Sequence, residues 1–203
     1  MQKQKLTPKY KHKPYWLLLP LNFLIGMCML FGLVIIGVSN NEDKPSEQEL
    51  QRAAFLTEIG PAAKRIQAAY DIPASIIMAQ AALESNFGQA ELAAKYHNLF
   101  GVKASAGMDQ VTLATQEFVN DEWHTVNAAF RNYPDWTASM IDHAQLIRKG
   151  TLDNPNRYQN VTATGGYEAA AHGLVSGGYA TDPKYADKLI SMIETYDLDT
   201  YDK

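Results

Sequence analysis

The hydropathy pattern divides the chain into two unequal parts. No charged side chain occurs between Tyr15 and Val38, and the run from Leu17 to Ile36 is dominated by Leu, Ile, Phe, Met and Val. At 1.5 Å per residue such a run crosses a hydrocarbon core of roughly 30 Å, so a transmembrane helix is expected over 15–38. Pro20 and Asn22 lie near its start, where the headgroups tolerate a kink or a polar group, and Tyr15 and Trp16 suit the interfacial aromatic belt. A cleaved signal peptide is the alternative, but the apolar run is longer than the usual signal core. Residues 39–48 are polar and aperiodic, which predicts a linker, and a single globular domain is expected over 49–203.

Within that domain, Ala53, Ala54, Phe55, Ile59, Ala62, Ala63, Ile66 and Ala69 recur at helical spacing, with Gly60-Pro61 expected to divide the segment into two helices. Pro73 opens a second apolar stretch, predicted as a buried helix to about Ser85 and stopped by Asn86-Phe87-Gly88. A short helix over 89–95 and a tight loop at 98–101 follow. From Val111 to Phe130 the period changes to two, with Asn120-Asp121 as the turn dipeptide, and this predicts a β-hairpin. Helices are then expected over 136–148, 167–176 and 182–196, the last with Pro183 in its first turn and Asp182 as its N-cap. The predicted class is mainly α (α+β), with a small β-hairpin lobe and a preceding transmembrane helix.

Charge assigns the orientation. Lys3, Lys5, Lys9, Lys11 and Lys13 precede the apolar run with no acid among them, whereas Glu42 and Asp43 follow it. The positive-inside bias therefore puts a basic tail, residues 1–14, in the cytoplasm and the globular domain on the outer side of the membrane. Residues 45–203 carry 12 basic and 20 acidic side chains, a net charge of −8, which argues against nucleic acid as a partner. The only cysteine, Cys28, falls in the apolar run, so the domain has neither a thiol nucleophile nor a disulfide. His97, His124, His143 and His172 show no metal-ligand spacing, and no metal or other cofactor is expected.

Glu84 is the residue whose placement suggests chemistry. It ends a helix otherwise built from Ile76, Ile77, Met78, Ala79, Ala81, Ala82 and Leu83, and Phe87 follows it. Burial and the negative helix terminus both disfavour a carboxylate there, so its pKa should rise towards that of a general acid. On position alone, an ordinary acid on the one exposed face of the helix is the favoured reading.

The residues around it carry a resemblance. Ala79-Gln80-Ala81-Ala82-Leu83-Glu84-Ser85-Asn86-Phe87-Gly88, Asn98-Leu99-Phe100-Gly101-Val102-Lys103, Phe130-Arg131-Asn132-Tyr133 and Gly178-Tyr179-Ala180-Thr181-Asp182-Pro183-Lys184-Tyr185-Ala186 resemble, in order and spacing, the endo-β-N-acetylglucosaminidases of glycoside hydrolase family 73. That family includes autolysins and the flagellar rod-associated muralytic domain. The resemblance covers about residues 50–200. It implies a lysozyme-like fold, and cleavage of the β-1,4 bond on the reducing side of N-acetylglucosamine in a peptidoglycan strand by a monomeric catalytic domain. It implies Glu84 as general acid and Tyr179 as the tyrosine required near the bond cleaved. For the second carboxylate it points to the hairpin, where Glu117 is preferred to Glu122 and Asp121, with the substrate's own acetamido group as the other route. Phe100 and Trp123 are the expected sugar-stacking rings, since aromatic faces pack against pyranose faces. Asn98 and Tyr185 complete the expected substrate-binding set, while Arg131 reads as a buried structural donor. Muramidase or lytic transglycosylase action, and a non-catalytic wall-binding module, are the competing functions.

Overall fold

The computed structural model describes residues 44–119, 122–162 and 165–203, with side chains 116–123 excluded. The expected basic tail and transmembrane helix lie outside the described residues. Among the described residues, no helix is long and apolar enough to cross a membrane.

The first helix, α1, runs over Glu47–Tyr70 and begins at a capping box. The Ser46 hydroxyl accepts from the Glu49 amide at 3.2 Å, and the Ser46 amide donates to Glu49 Oε2 at 2.7 Å. Helix therefore begins inside the segment expected as linker. The expected break at Gly60-Pro61 is absent, since Pro61 lies inside one continuous helix. The reason is tertiary. The Tyr201 ring packs so closely on Gly60 that a Cβ there would collide with it, and Phe55, Leu56, Ile59, Ala62, Ala63 and Ile66 bury the same helix into the core. Burial of several apolar side chains outweighs the roughly 3 kcal/mol that an internal proline costs.

Helix α2, Ala74–Ser85, is the centre of the domain. Its small and apolar residues are buried almost all round because α1, α4, α6, α7 and the terminal 3-10 turn pack against it. Its first amides are satisfied by side chains remote in sequence. Ala74 N donates to Gln67 Oε1 at 2.6 Å, and Ser75 N donates to Asp202 Oδ1 at 2.8 Å. The Ser75 hydroxyl adds a 2.6 Å bond to Asp202 Oδ2, which places a carboxylate at the positive helix terminus.

The remaining elements are α3 (Glu91–Tyr96), β1 (Gln110–Val119), β2 (Glu122–Arg131), α4 (Trp136–Lys149), α5 (Gln159–Thr162), α6 (Tyr167–Ser176), α7 (Tyr185–Thr195) and the 3-10 turn Leu198–Asp202. The two strands pair antiparallel from Gln110↔Arg131 to Val119↔Glu122, as the alternation implied, while the expected turn dipeptide Asn120-Asp121 lies outside the described residues. Its base is tied to the helical body by Arg131 N to Val102 O and Ala104 N to Ala129 O, each 2.9 Å. Helix α7 begins at Tyr185, three residues later than the pattern implied. Asp182 still caps a turn, accepting from Lys184 N at 2.9 Å and pairing with Lys188 Nζ at 2.7 Å.

Candidate active site

The site is built where α2 stops. Asn86, Phe87 and Gly88 all adopt positive φ, at 49°, 54° and 75°. Only glycine accepts that region without strain, so Asn86 and Phe87 are held there by their surroundings. Phe87 makes edge contacts with Phe55 at 6.2 Å and Tyr196 at 5.3 Å, and the Arg52 guanidinium lies 5.0 Å from its ring centroid. The Ser85 hydroxyl accepts from Gly88 N at 2.7 Å. Gly88 is required twice over, by its backbone and by the Phe55 and Trp136 rings that a Cβ would strike. These contacts fix the last turn of α2, and with it the direction of Glu84.

Glu84 is half-buried, and desolvation pushes its pKa up from the ordinary 4.5 to about 7. A hydrogen bond from Tyr185 and the nearby Lys188 charge oppose that rise without cancelling it. Tyr185 Oη donates to Glu84 Oε1 at 2.8 Å. Behind it, Gln80 Nε2 donates to Tyr185 Oη at 3.1 Å, and Gln80 Oε1 meets His143 Nε2 at 3.0 Å. His143 is fully enclosed, which lowers its pKa to about 3 and leaves a neutral imidazole. A partly protonated carboxylic acid, positioned by a fixed tyrosine, suits proton donation to a leaving oxygen near neutral pH.

Tyr179 stands beside this pair. Its ring stacks on Tyr185 with centroids 5.6 Å apart, and it meets His143 edge-on at 5.6 Å. It is 1% exposed, its hydroxyl has no hydrogen-bond partner, and burial together with the Glu84 charge raises its pKa. The residue that touches Glu84 directly is therefore Tyr185, expected as a substrate-binding position, whereas Tyr179 supports it ring to ring.

Two residues expected to bind substrate are buried and engaged within the protein. Phe100 is 1% exposed and stacks flat on His143, with centroids 3.9 Å apart and planes 11° from parallel, so it offers no sugar-facing surface. Asn98 is 2% exposed and its amide is fully committed. It donates to Val102 O and Arg131 O at 2.9 Å each and accepts from Val102 N at 3.0 Å. That clamp joins the loop after α3 to the base of β2. Arg131 is half-exposed rather than buried, paired with Asp142 at 2.7 Å while its guanidinium lies 5.0 Å from the Tyr133 ring centroid. Glu117 and Glu122 occupy ladder positions opposite His124 and Val119. Their side chains, with those of Asp121 and Trp123, lie outside the described residues. No three His, Cys, Asp or Glu among the described residues are placed to hold a metal ion.

Gln80 and His143 escaped the sequence reading as parts of the site. The available signal was spacing, because Gln80 precedes Glu84 by four residues and so shares its face of an apolar helix. A buried amide there needs a partner, but which residue supplies it is not written in α2.

Comparison with known proteins identifies the family. A family profile described as mannosyl-glycoprotein endo-beta-N-acetylglucosaminidase matches residues 60–198. The exo-glucosaminidase LytG of Bacillus subtilis is 39% identical over 195 residues, covering 95% of this chain and 69% of the relative. A probable N-acetylmuramidase of Lactococcus lactis is 34% identical over 151 residues, which is 73% of this chain but 34% of the relative. The catalytic domain of the autolysin Auto from Listeria monocytogenes superposes with a TM-score of 0.72 at 34% identity, covering 80% of this chain and 92% of that domain. The profile match, the LytG alignment and the helix-end glutamate together place this chain in the glucosaminidase family, glycoside hydrolase family 73, as a peptidoglycan glycosidase of lysozyme-like fold.

Proposed function

We propose that the chain hydrolyses the β-1,4 bond on the reducing side of N-acetylglucosamine in cell-wall glycan, with Glu84 protonating the glycosidic oxygen. The observation that carries the reading is the state of Glu84: a carboxyl at the end of the most buried helix, raised to about 7 and held by Tyr185. Glu117 activates the water in this proposal, with Glu122 and the substrate acetamido group as the other routes. A carboxyl separation of roughly 6.5 to 9.5 Å goes with inversion and about 5 Å with retention. Glu84→Gln keeps the shape and removes the proton donor, so an undiminished rate in wall zymography would sink the proposal.

The name of the Lactococcus relative supports a second reading, in which the bond cut is the muramidase one. Mass spectrometry of borohydride-reduced fragments separates the possibilities. Reduced N-acetylglucosamine supports the first reading, reduced N-acetylmuramic acid the second, and an anhydro sugar a lytic transglycosylase. Fragment length separates internal cleavage from the end-wise action named for LytG.

The proposal includes a single transmembrane helix over 15–38 that keeps a monomeric catalytic domain on the wall side of a bacterial membrane. Its support is the uncharged apolar run and the lysines before it. A form beginning near residue 45 should cut isolated wall yet lose its place in the envelope, and an unchanged location counts against the anchor.

A further inference from the structure

We propose that His143 and Gln80 are positioning residues that form a one-way hydrogen-bond chain through Tyr185 to Glu84, and that this chain keeps the proton transferred by Glu84 on Oε2. The proposal rests on Glu84 being the acid of the reaction.

The argument is a count of donors and acceptors. The neutral His143 imidazole carries one N–H, and Gln80 offers one carbonyl and one amino group. Gln80 Nε2 faces Tyr185 Oη at 3.1 Å, so Gln80 Oε1 is the atom facing His143 Nε2 at 3.0 Å. That oxygen can only accept, and His143 therefore holds its proton on Nε2. Tyr185 Oη, already accepting from Gln80, spends its single proton on Glu84 Oε1 at 2.8 Å. All three bonds point the same way, towards the carboxyl. An oxygen that accepts from Tyr185 has no room for a proton along the same line, so the acid proton is left on Oε2.

The components are closely packed. Phe100 stacks on His143 at 3.9 Å, Tyr179 stacks on Tyr185 at 5.6 Å, and Gln80 is 1% exposed. Without the His143 N–H, the Gln80 amide is free to rotate and present its oxygen to Tyr185. The tyrosine proton would then turn away from Glu84, and the carboxylate would lose its donor. Among the described residues, the ionisable and charged groups around Glu84 are Tyr185 and Lys188 on α7, Asp182 paired with Lys188, Tyr179 before α7 and the neutral His143 on α4. Of these, His143 alone is linked to Glu84 by hydrogen bonds that run through Gln80.

The test uses the full chain in detergent micelles with 13C-labelled glutamate, so that Glu84 titration is read without any substrate. His143→Phe keeps the ring and should raise the Glu84 midpoint by about half a pH unit or more, because a donor to the charged form is lost. Gln80→Met removes the rotating amide but leaves the Tyr185 proton on Glu84, so its shift should be smaller. The double variant should match Gln80→Met, since the His143 N–H acts through the Gln80 amide and the phenylalanine ring keeps the contact with Tyr179. In the parent protein, 15N spectra should show His143 protonated at Nε2. An unmoved midpoint in His143→Phe, a double variant equal to the sum of the singles, or an Nδ1–H tautomer in the parent overturns the proposal. The tautomer decides the matter even if a variant fails to fold. Loss of wall hydrolysis by the parent would instead remove the assigned reaction and leave the titration result standing.

Discussion

Tyr185 Oη and Glu84 Oε1 are 2.8 Å apart, joined by a bond that spans 101 residues of sequence and links the end of α2 to the start of α7. The bond favours the charged form of Glu84, while burial disfavours it more strongly. Tyr185→Phe should therefore move the alkaline limb of the pH–rate profile upward. It also strands the buried Gln80 amino group, at a cost of about 1–3 kcal/mol. Stopped assays across pH and a urea melt check the two effects separately.

Glu84→Gln should lower the rate on purified wall by about 10² to 10⁴, the usual worth of a general acid. The same variant has a signature in stability. The folded-state pKa of about 7 lies above the ordinary 4.5, so the unfolded chain releases its proton first as pH rises. The parent thus loses stability between about 4.5 and about 7 and levels off above. The Gln variant lacks that loss, and its melting temperature should gain on the parent across the same window. Parallel melting curves at all pH values would contradict the assigned ionisation.

Asp202→Ala should destabilise the domain by about 2 kcal/mol, because it removes both the amide cap on Ser75 and the bond from its hydroxyl. Urea denaturation with an unchanged slope would report it. The effect should reach the chemistry as well, since the capped helix carries Glu84 at its other end.

Gly60→Ala should cost about 1–3 kcal/mol through the collision with Tyr201, the price of overpacking a fixed contact. Combined with Tyr201→Ala, the two losses should sum to more than the double variant shows, because the smaller side chain vacates the space. Strict additivity would mean that the ring moves aside freely.

Periodicity found α2, α4, α6 and the hairpin because each of those segments declares its buried face within its own residues. Tyr167–Ser176 begins and ends where its pattern does. Glu84 was legible for the same reason, as one charge on an apolar helix. What was not legible depends on partners remote in the chain. Gly60-Pro61 reads as a break until Tyr201 is seen seated on the glycine. Phe100 reads as a groove ring until His143 covers its face, and Asn98 as a ligand donor until Val102 and Arg131 consume its amide. The motif carrying Tyr179 and Tyr185 marked the right neighbourhood, but only the start of α7 three residues late decides which hydroxyl meets the acid.

Because His143 stays neutral down to about 3, Glu84 is left as the group in this chain of bonds that changes charge near neutrality. Its titration would make a site that relies on it as acid a dimmer rather than a switch. Mild acidification through neutrality would raise its protonated share step by step. Wall hydrolysis that uses Glu84 as its acid should therefore fade gradually, without a threshold, as the solution passes through neutrality.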